Sequence, residues 1–145
     1  MSYPQTVRFQ HGTQGIDWEE LVRLFKSADL AGREGDKIRR AFENSTVVCF
    51  AVDGSRLVGA ARALSDHEYH ATVYDVVVHP DYQQQGLGTR LMSDVLGMLP
   101  VWRVLLVADG DARRFYQRLG FEPYGDVMAR LDRTKLYDPA GVGGS

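Results

Sequence analysis

The sequence predicts one α/β domain whose central twisted sheet is mixed and mostly antiparallel, flanked by helices. Three observations carry this. Residues 74–91 (YDVVVHPDYQQQGLGTRL) read as a buried strand, a glycine-containing loop and a helix. Asp53-Gly54 stands between two apolar runs and is a strong short-range hairpin signal. A further apolar run, Trp102 to Ala108, is separated from Ala71–Val78 by the helical stretch, so these two strands should be parallel.

Taken in order, Thr6 to Gln10 alternates Val7 and Phe9 with polar neighbours, a short first strand. Asp17 suits an N-cap, and Trp18, Leu21, Val22 and Phe25 then recur at helical spacing. Leu30 to Gly35 holds two glycines and reads as a loop before a second helix, Asp36 to Glu43, with Ile38 and Phe42 inward. Thr46–Val52 and Leu57–Leu64 are the two arms of the hairpin, and Ser65–Glu68 turns the chain into Ala71–Val78. The helix Gly86–Leu99 stops at Pro100. Trp102–Ala108 suits a strand buried on both faces, followed by a helix at Ala112–Leu119, a left-handed stop at Gly120 and a last strand over Phe121–Leu131. The order is β-α-α-β-β-β-α-β-α-β.

With 145 residues, the chain suits a single domain over residues 1–137 and a flexible tail over 138–145. A net charge of -2 gives no global attraction to nucleic acid or anionic membrane. No apolar stretch approaches a membrane span, and the N-terminus lacks a signal-like apolar region. One cysteine, Cys49, excludes an internal disulfide and fits a reducing compartment such as the cytoplasm. Within its apolar run Cys49 reads as a small buried hydrophobe.

The loop at Gln83–Thr89 is the stretch that points to chemistry. A loop of this kind ahead of a helix aims several backbone N–H groups at one place, backed by the helix dipole, and so suits a phosphate or pyrophosphate. It is not a Walker A loop, because no Lys follows Gly88. Nor is it a Rossmann turn, which needs a glycine where Leu91 stands. What fits is Gln/Arg-x-x-Gly-x-Gly/Ala, filled by Gln83, Gly86 and Gly88.

On these residues, and on Phe115-Tyr116-Gln117-Arg118-Leu119-Gly120-Phe121, the sequence resembles the GNAT-type N-acetyltransferase superfamily. The resemblance implies a GNAT fold and acetyl-CoA as cosubstrate; the histidines and Asp75 have no specific metal-ligand spacing, so no metal is expected. It implies that the amides of Gln83, Gln84, Gln85, Gly86, Leu87, Gly88 and Thr89 cradle the pyrophosphate. The backbone of Val76, Val77 and Val78, on a splayed strand, is implied to meet the thioester carbonyl and the pantetheine arm. Arg113, with Arg90 and Arg114, is a candidate to meet the adenosine 3′-phosphate; the alternative is that these arginines are simply solvated on their helices. Tyr116 is implied as general acid for the leaving thiolate; the alternative is that it packs on its helix and only orders the CoA chain. One position departs from the pattern: Gly110 stands where many relatives have Asn. Residues 61–78 are similar to the plastid and cyanobacterial-type members that include plant serotonin N-acetyltransferase. This points to arylalkylamines such as serotonin or tryptamine, or lysine side chains, as acceptors, and a homodimer is compatible with the fold.

An alkylammonium must lose a proton before it can attack. Asp75, an acid inside a Val-rich strand, is the candidate base, since burial without cause is costly there. The alternative is an Asp that pairs with an arginine or caps local backbone. His67 and His70, near the preceding turn, compete for the same role, whereas His79 before Pro80 looks structural. The expected function is an N-acetyltransferase working by direct attack in a ternary complex. The alternative, prompted by Gly110, is a catalytically silent acetyl-CoA-binding module.

Overall fold

The structure, a computed structural model, describes residues 2–30 and 32–135. They fall in two compact units, one up to Leu105 and one from Leu106 onward. The tail expected at 138–145 lies outside the described residues.

The first unit holds β1 (Val7–Gln10), α1 (Trp18–Ser27), α2 (Gly35–Glu43), β2 (Val47–Asp53), β3 (Arg56–Ser65), β4 (His70–Val78), α3 (Leu87–Gly97) and β5 (Arg103–Leu105). The strands form one sheet in the order β1-β2-β3-β4-β5. The first three pairings are antiparallel and β4–β5 is parallel, as the sequence predicts. Gly54, at φ 63°, opens the tight turn in which Asp53 pairs with Arg56. A left-handed residue there costs a glycine nothing sterically.

α1 starts where Asp17 accepts hydrogen bonds from the amides of Glu19 and Glu20, satisfying orphan donors of the first turn. Leu21, Leu24 and Phe25 from α1 and Ile38 and Phe42 from α2 cluster on Val48 and Phe50 of β2, Ala60 of β3 and Val77 of β4. Each large side chain so buried contributes at most about 1.5–3 kcal/mol. α3 packs on the opposite face, where the strands carry small residues. A Cβ at Gly59 would stand 2.9 Å from Leu91 Cδ1 and 3.3 Å from Ala51 Cβ, so the missing side chain is what seats α3 this close.

In the second unit, α4 (Gly110–Arg118) ends in a Schellman motif. Phe121 N–H donates to Tyr116 O at 3.1 Å and Gly120 N–H to Gln117 O at 3.1 Å, with Gly120 at φ 94°.

Two expectations need correction. The strand expected over Trp102–Ala108 is only Arg103–Leu105 and is half-buried rather than covered on both faces. It is the sheet's edge among the described residues, and Trp102 and Val107 are 71% and 94% exposed. The strand expected over Phe121–Leu131 does not form. Pro123 lacks an amide donor, Gly125 weakens a strand, and Val127 and Met128 are adjacent, so they cannot share one strand face.

Candidate active site

The open edge of β4 is where the first unit presents unused backbone. β5 pairs only with His70, Ala71 and Thr72. From Val73 to Val78 β4 runs on with β3 on one side and no strand on the other among the described residues. His79 N–H donates to Val58 O at 2.8 Å. By the alternation of an antiparallel ladder, Val77 therefore bonds with Ala60, while Val76 and Val78 aim their N–H and C=O groups at the open edge. Gln83 Nε2 donating to Val78 O at 3.0 Å agrees with that direction. Of the three valines predicted to act through backbone, two face outward and the amide of Val77 belongs to the ladder.

β4 then leads into a short 3₁₀ turn, Pro80–Tyr82, capped by His79 Nδ1 accepting from Asp81 N–H at 3.1 Å. His79 Nε2 lies 3.0 Å from Arg56 Nη2, so this ring is structural, as the sequence suggests. The loop is pinned at two further points. Tyr82 Oη donates to Asp53 Oδ2 at 2.5 Å, and Tyr3 N–H donates to Gln85 O at 3.1 Å. Gln84 and Gly86 both sit at positive φ, 62° and 85°, which bends the chain into the start of α3. Leu87 is buried and anchors the helix; Gln84, Gly86 and Thr89 are exposed. No side chain caps α3 and no acid lies in its first turn. α1 is the contrast, with Asp17 as cap and Glu19 and Glu20 following. The first-turn amides of Leu87, Gly88 and Thr89 have no partner within the helix, so this terminus suits an anion.

Asp75 is buried at 5% exposure and is not alone. Arg62 Nε donates to its Oδ2 at 2.6 Å. Arg33 Nε and Nη2 donate to its Oδ1 at 3.0 and 2.8 Å. The pairing rests on a bulge: Ala61 opposes Val76 and Ala63 opposes Val73, so Arg62 faces both Tyr74 and Asp75. Arg62 is further seated over the rings of Tyr74 and Phe42, at 5.2 and 5.8 Å. Both arginines were missed in the sequence. Arg62 had a signal, a cation inside Ala60-Ala61-Arg62-Ala63; Arg33, in a glycine loop, had none.

The histidines are placed less well for proton transfer. His70 begins β4, and five residues of strand put it about 16 Å from Asp75. His67, at φ 60°, is exposed in the turn. That turn is built by Asp66, which accepts from the amides of His70, Tyr69 and Glu68; these bonds bring its carboxyl from 3.8 to about 2. Cys49 is fully buried, and burial, then the Asp94 carboxylate, push its thiol up to about 12, which makes it a poor nucleophile. Arg90 is engaged with Asp94 at 2.8 Å and lies over the Phe9 ring at 4.1 Å.

In the second unit, Tyr116 is half-buried on α4, its ring 4.9 Å from Phe115 and 5.9 Å from Phe121. The Schellman stop at Gly120 is what folds Phe121 back onto it. Arg113 and Arg114 are exposed near the start of α4. Gly110 adopts φ 50°, a region that Asn also enters, so only a side chain is lost there.

The comparisons with known proteins bear directly on this geometry. Residues 44–123 match the acetyltransferase (GNAT) domain. The chain belongs to the GNAT acetyltransferase family. It is 35% identical over 116 residues to an uncharacterized N-acetyltransferase, ycf52, of Porphyra purpurea, covering 75% of this chain and 67% of that protein. It is 46% identical over 121 residues to a histone acetyltransferase of Glycine max, covering 74% of this chain and 52% of that one. It is 35% identical over 127 residues to a chloroplastic serotonin N-acetyltransferase of Oryza sativa subsp. japonica, with 82% and 63% covered. The plastid-type resemblance is thus borne out, and the chain spans between about half and two thirds of these curated relatives. Among solved structures, a GNAT family acetyltransferase from Streptococcus pneumoniae TIGR4 aligns with TM-score 0.73 and 26% identity, over 88% of this chain and 98% of that one. No helix among the described residues is long and apolar enough to cross a membrane.

Proposed function

We propose that the chain, as one domain over residues 1–137, transfers an acetyl group from acetyl-CoA to a primary amine in a ternary complex. The observation that carries this is the juxtaposition on one stretch of chain of an open β4 edge and an uncapped, acid-free α3 N-terminus. Acetyl-CoA supplies a thioester-activated acetyl group and two phosphate-bearing segments. The amides of residues 83–89 would hold the pyrophosphate, with Leu87, Gly88 and Thr89 contributing the helix's first turn. Arg113 would answer the 3′-phosphate. The outward amides of Val76 and Val78 would donate to the negative charge that develops on the acetyl oxygen.

The acceptor amine arrives as an ammonium and must give up a proton. Asp75 is the group that would take it, and its two arginines shape how. Arg33 belongs to the loop between α1 and α2 and its side chain is 38% exposed, while Arg62 is 13% exposed and fixed by the sheet. An incoming ammonium would therefore replace Arg33 at Oδ1 and leave Arg62 in place. The amine nitrogen then bonds to the acetyl carbon and the carbon–sulfur bond breaks as Tyr116 Oη gives its proton to the departing thiolate; the second proton, which the nitrogen sheds on becoming an amide, passes through solvent to restore the Tyr116 phenol. Buried Cys49, its thiol held protonated, suits direct attack better than an acetyl-cysteine route. Acceptors of two kinds fit the relatives' names, an arylalkylamine such as serotonin or tryptamine and a protein lysine. A reducing compartment such as the cytoplasm suits the single unpaired thiol.

Tyr116→Phe tests the acid role. Turnover should fall by about 10²-fold or more, the usual worth of a positioned acid, while acetyl-CoA affinity changes little. Turnover equal to that of the parent protein would remove Tyr116 from the chemistry.

A further inference from the structure

Three metal-ligating side chains that acetyl transfer leaves unused meet on the α3 side of the sheet. His11 follows β1, Cys49 lies within β2 and Asp94 lies on α3. One donor atom from each, the imidazole nitrogen, the sulfur and a carboxylate oxygen, lies within 4.8 Å of the others. Asp94 Oδ2 is their common point, 2.8 Å from His11 Nε2 and 3.7 Å from Cys49 Sγ. The other oxygen, Oδ1, accepts from Arg90 Nε at 2.8 Å. That outer hydrogen bond fixes the rotation of the carboxylate, as partners of metal-bound carboxylates do. Cys49 closes the inner end of the cluster at 0% exposure, while the His11 side chain is 47% exposed and leaves an entry from solvent.

We propose that His11, Cys49 and Asp94 form a binding site for a divalent cation of the zinc class, with solvent completing the fourth position. One thiolate, one imidazole and one carboxylate make a borderline-soft donor set that suits zinc, whereas magnesium and calcium take oxygen ligands. The donors come from three separate elements, so the ion ties β1 and β2 to the helix whose N-terminus carries the Gln83–Thr89 loop. Occupancy therefore stabilises the folded chain and braces α3. On binding, the Cys49 proton leaves to solvent and sulfur coordinates as thiolate. Without an ion the same groups form a hydrogen-bonded network around Asp94, with Arg90 as the balancing charge.

Cadmium is the probe, because Cys49 is the only cysteine in the chain and any thiolate-to-cadmium charge-transfer absorption reports on this site alone. Titration of the whole metal-free chain should raise that band to an end point at one equivalent, with a higher melting temperature, and zinc should displace it while magnesium does not. Cys49→Ser should abolish the band. His11→Ala changes an exposed side chain and should leave the fold intact, as read by far-ultraviolet circular dichroism, yet weaken binding about tenfold or more. No band in the folded protein would overturn the site and leave a hydrogen-bonded network. An unchanged affinity in His11→Ala, or a band that rises only as the chain unfolds, would overturn it equally. None of these readouts depends on acetyl transfer.

Discussion

Asp75→Asn is the most informative single change, because the structure assigns its cost before any assay of activity. The Asp75 side chain is 6% exposed and that of Arg62 is 13%. Removing one partner of such a buried pair leaves the other charge uncompensated and costs about 3–5 kcal/mol. Asn keeps the volume but offers a single acceptor oxygen and turns an NH₂ toward the second guanidinium. The Arg33 side chain is 38% exposed, so Arg33→Ala should cost about 1 kcal/mol or less. At roughly 3 °C per kcal/mol for a chain of this size, Asp75→Asn should melt about 10 °C lower and Arg33→Ala within a few degrees of the parent. Urea unfolding followed by circular dichroism gives both free energies. An Asp75→Asn cost under about 1 kcal/mol, or an Arg33→Ala cost equal to that of Arg62→Ala, would refute the assignment of Arg62 as the buried, fixed partner. The same pair of variants bears on function. If an ammonium exchanges with Arg33, Arg33→Ala should lower KM for the amine at least severalfold while leaving acetyl-CoA affinity alone.

Two other outcomes follow from local geometry. Gly86 sits at φ 85° with open space around it, so Gly86→Ala should cost about 1–2 kcal/mol through backbone strain alone and weaken acetyl-CoA binding, as read by calorimetry. Asp66 is held below its ordinary value by three amides, so its contribution to stability is fully present above 3.8 and is lost as pH falls through about 2. The stability difference between the parent and Asp66→Ala, from denaturant melts across acid pH, should therefore shrink over that window; a difference that is constant with pH would contradict the turn geometry.

Most of the fold was legible because its signals are local. Asp53-Gly54 marked the hairpin, Asp17 capped α1, and Gly120 stopped α4 through the Schellman bonds its position implied. The strand–loop–helix block at 74–91 was read residue by residue, since Pro80 and the glycines constrain backbone whatever surrounds them. The extent of β5 was not legible, because an apolar run does not reveal whether a partner strand exists on its far side. Phe121–Leu131 misled in the same way: its apolar residues are real, but their spacing lacks a strand's period. Asp75 was found by its oddity in a Val-rich strand. Its partners were not, since Arg33 lies 42 residues away in sequence and Arg62 is brought opposite only by a bulge that no local pattern announces. The His11–Cys49–Asp94 cluster was invisible for the same reason, being assembled from three elements distant in sequence.

The measurement that bears most directly on function is CoA release from acetyl-CoA with a panel of arylalkylamines, polyamines and a lysine peptide, each against a blank without amine. Release above the blank with one amine class, and a matching acetylated product by mass, is the expected result, and it names the acceptor at the same time. Stabilisation by acetyl-CoA with no release from any amine would contradict acetyl transfer and leave a cofactor-binding module in its place.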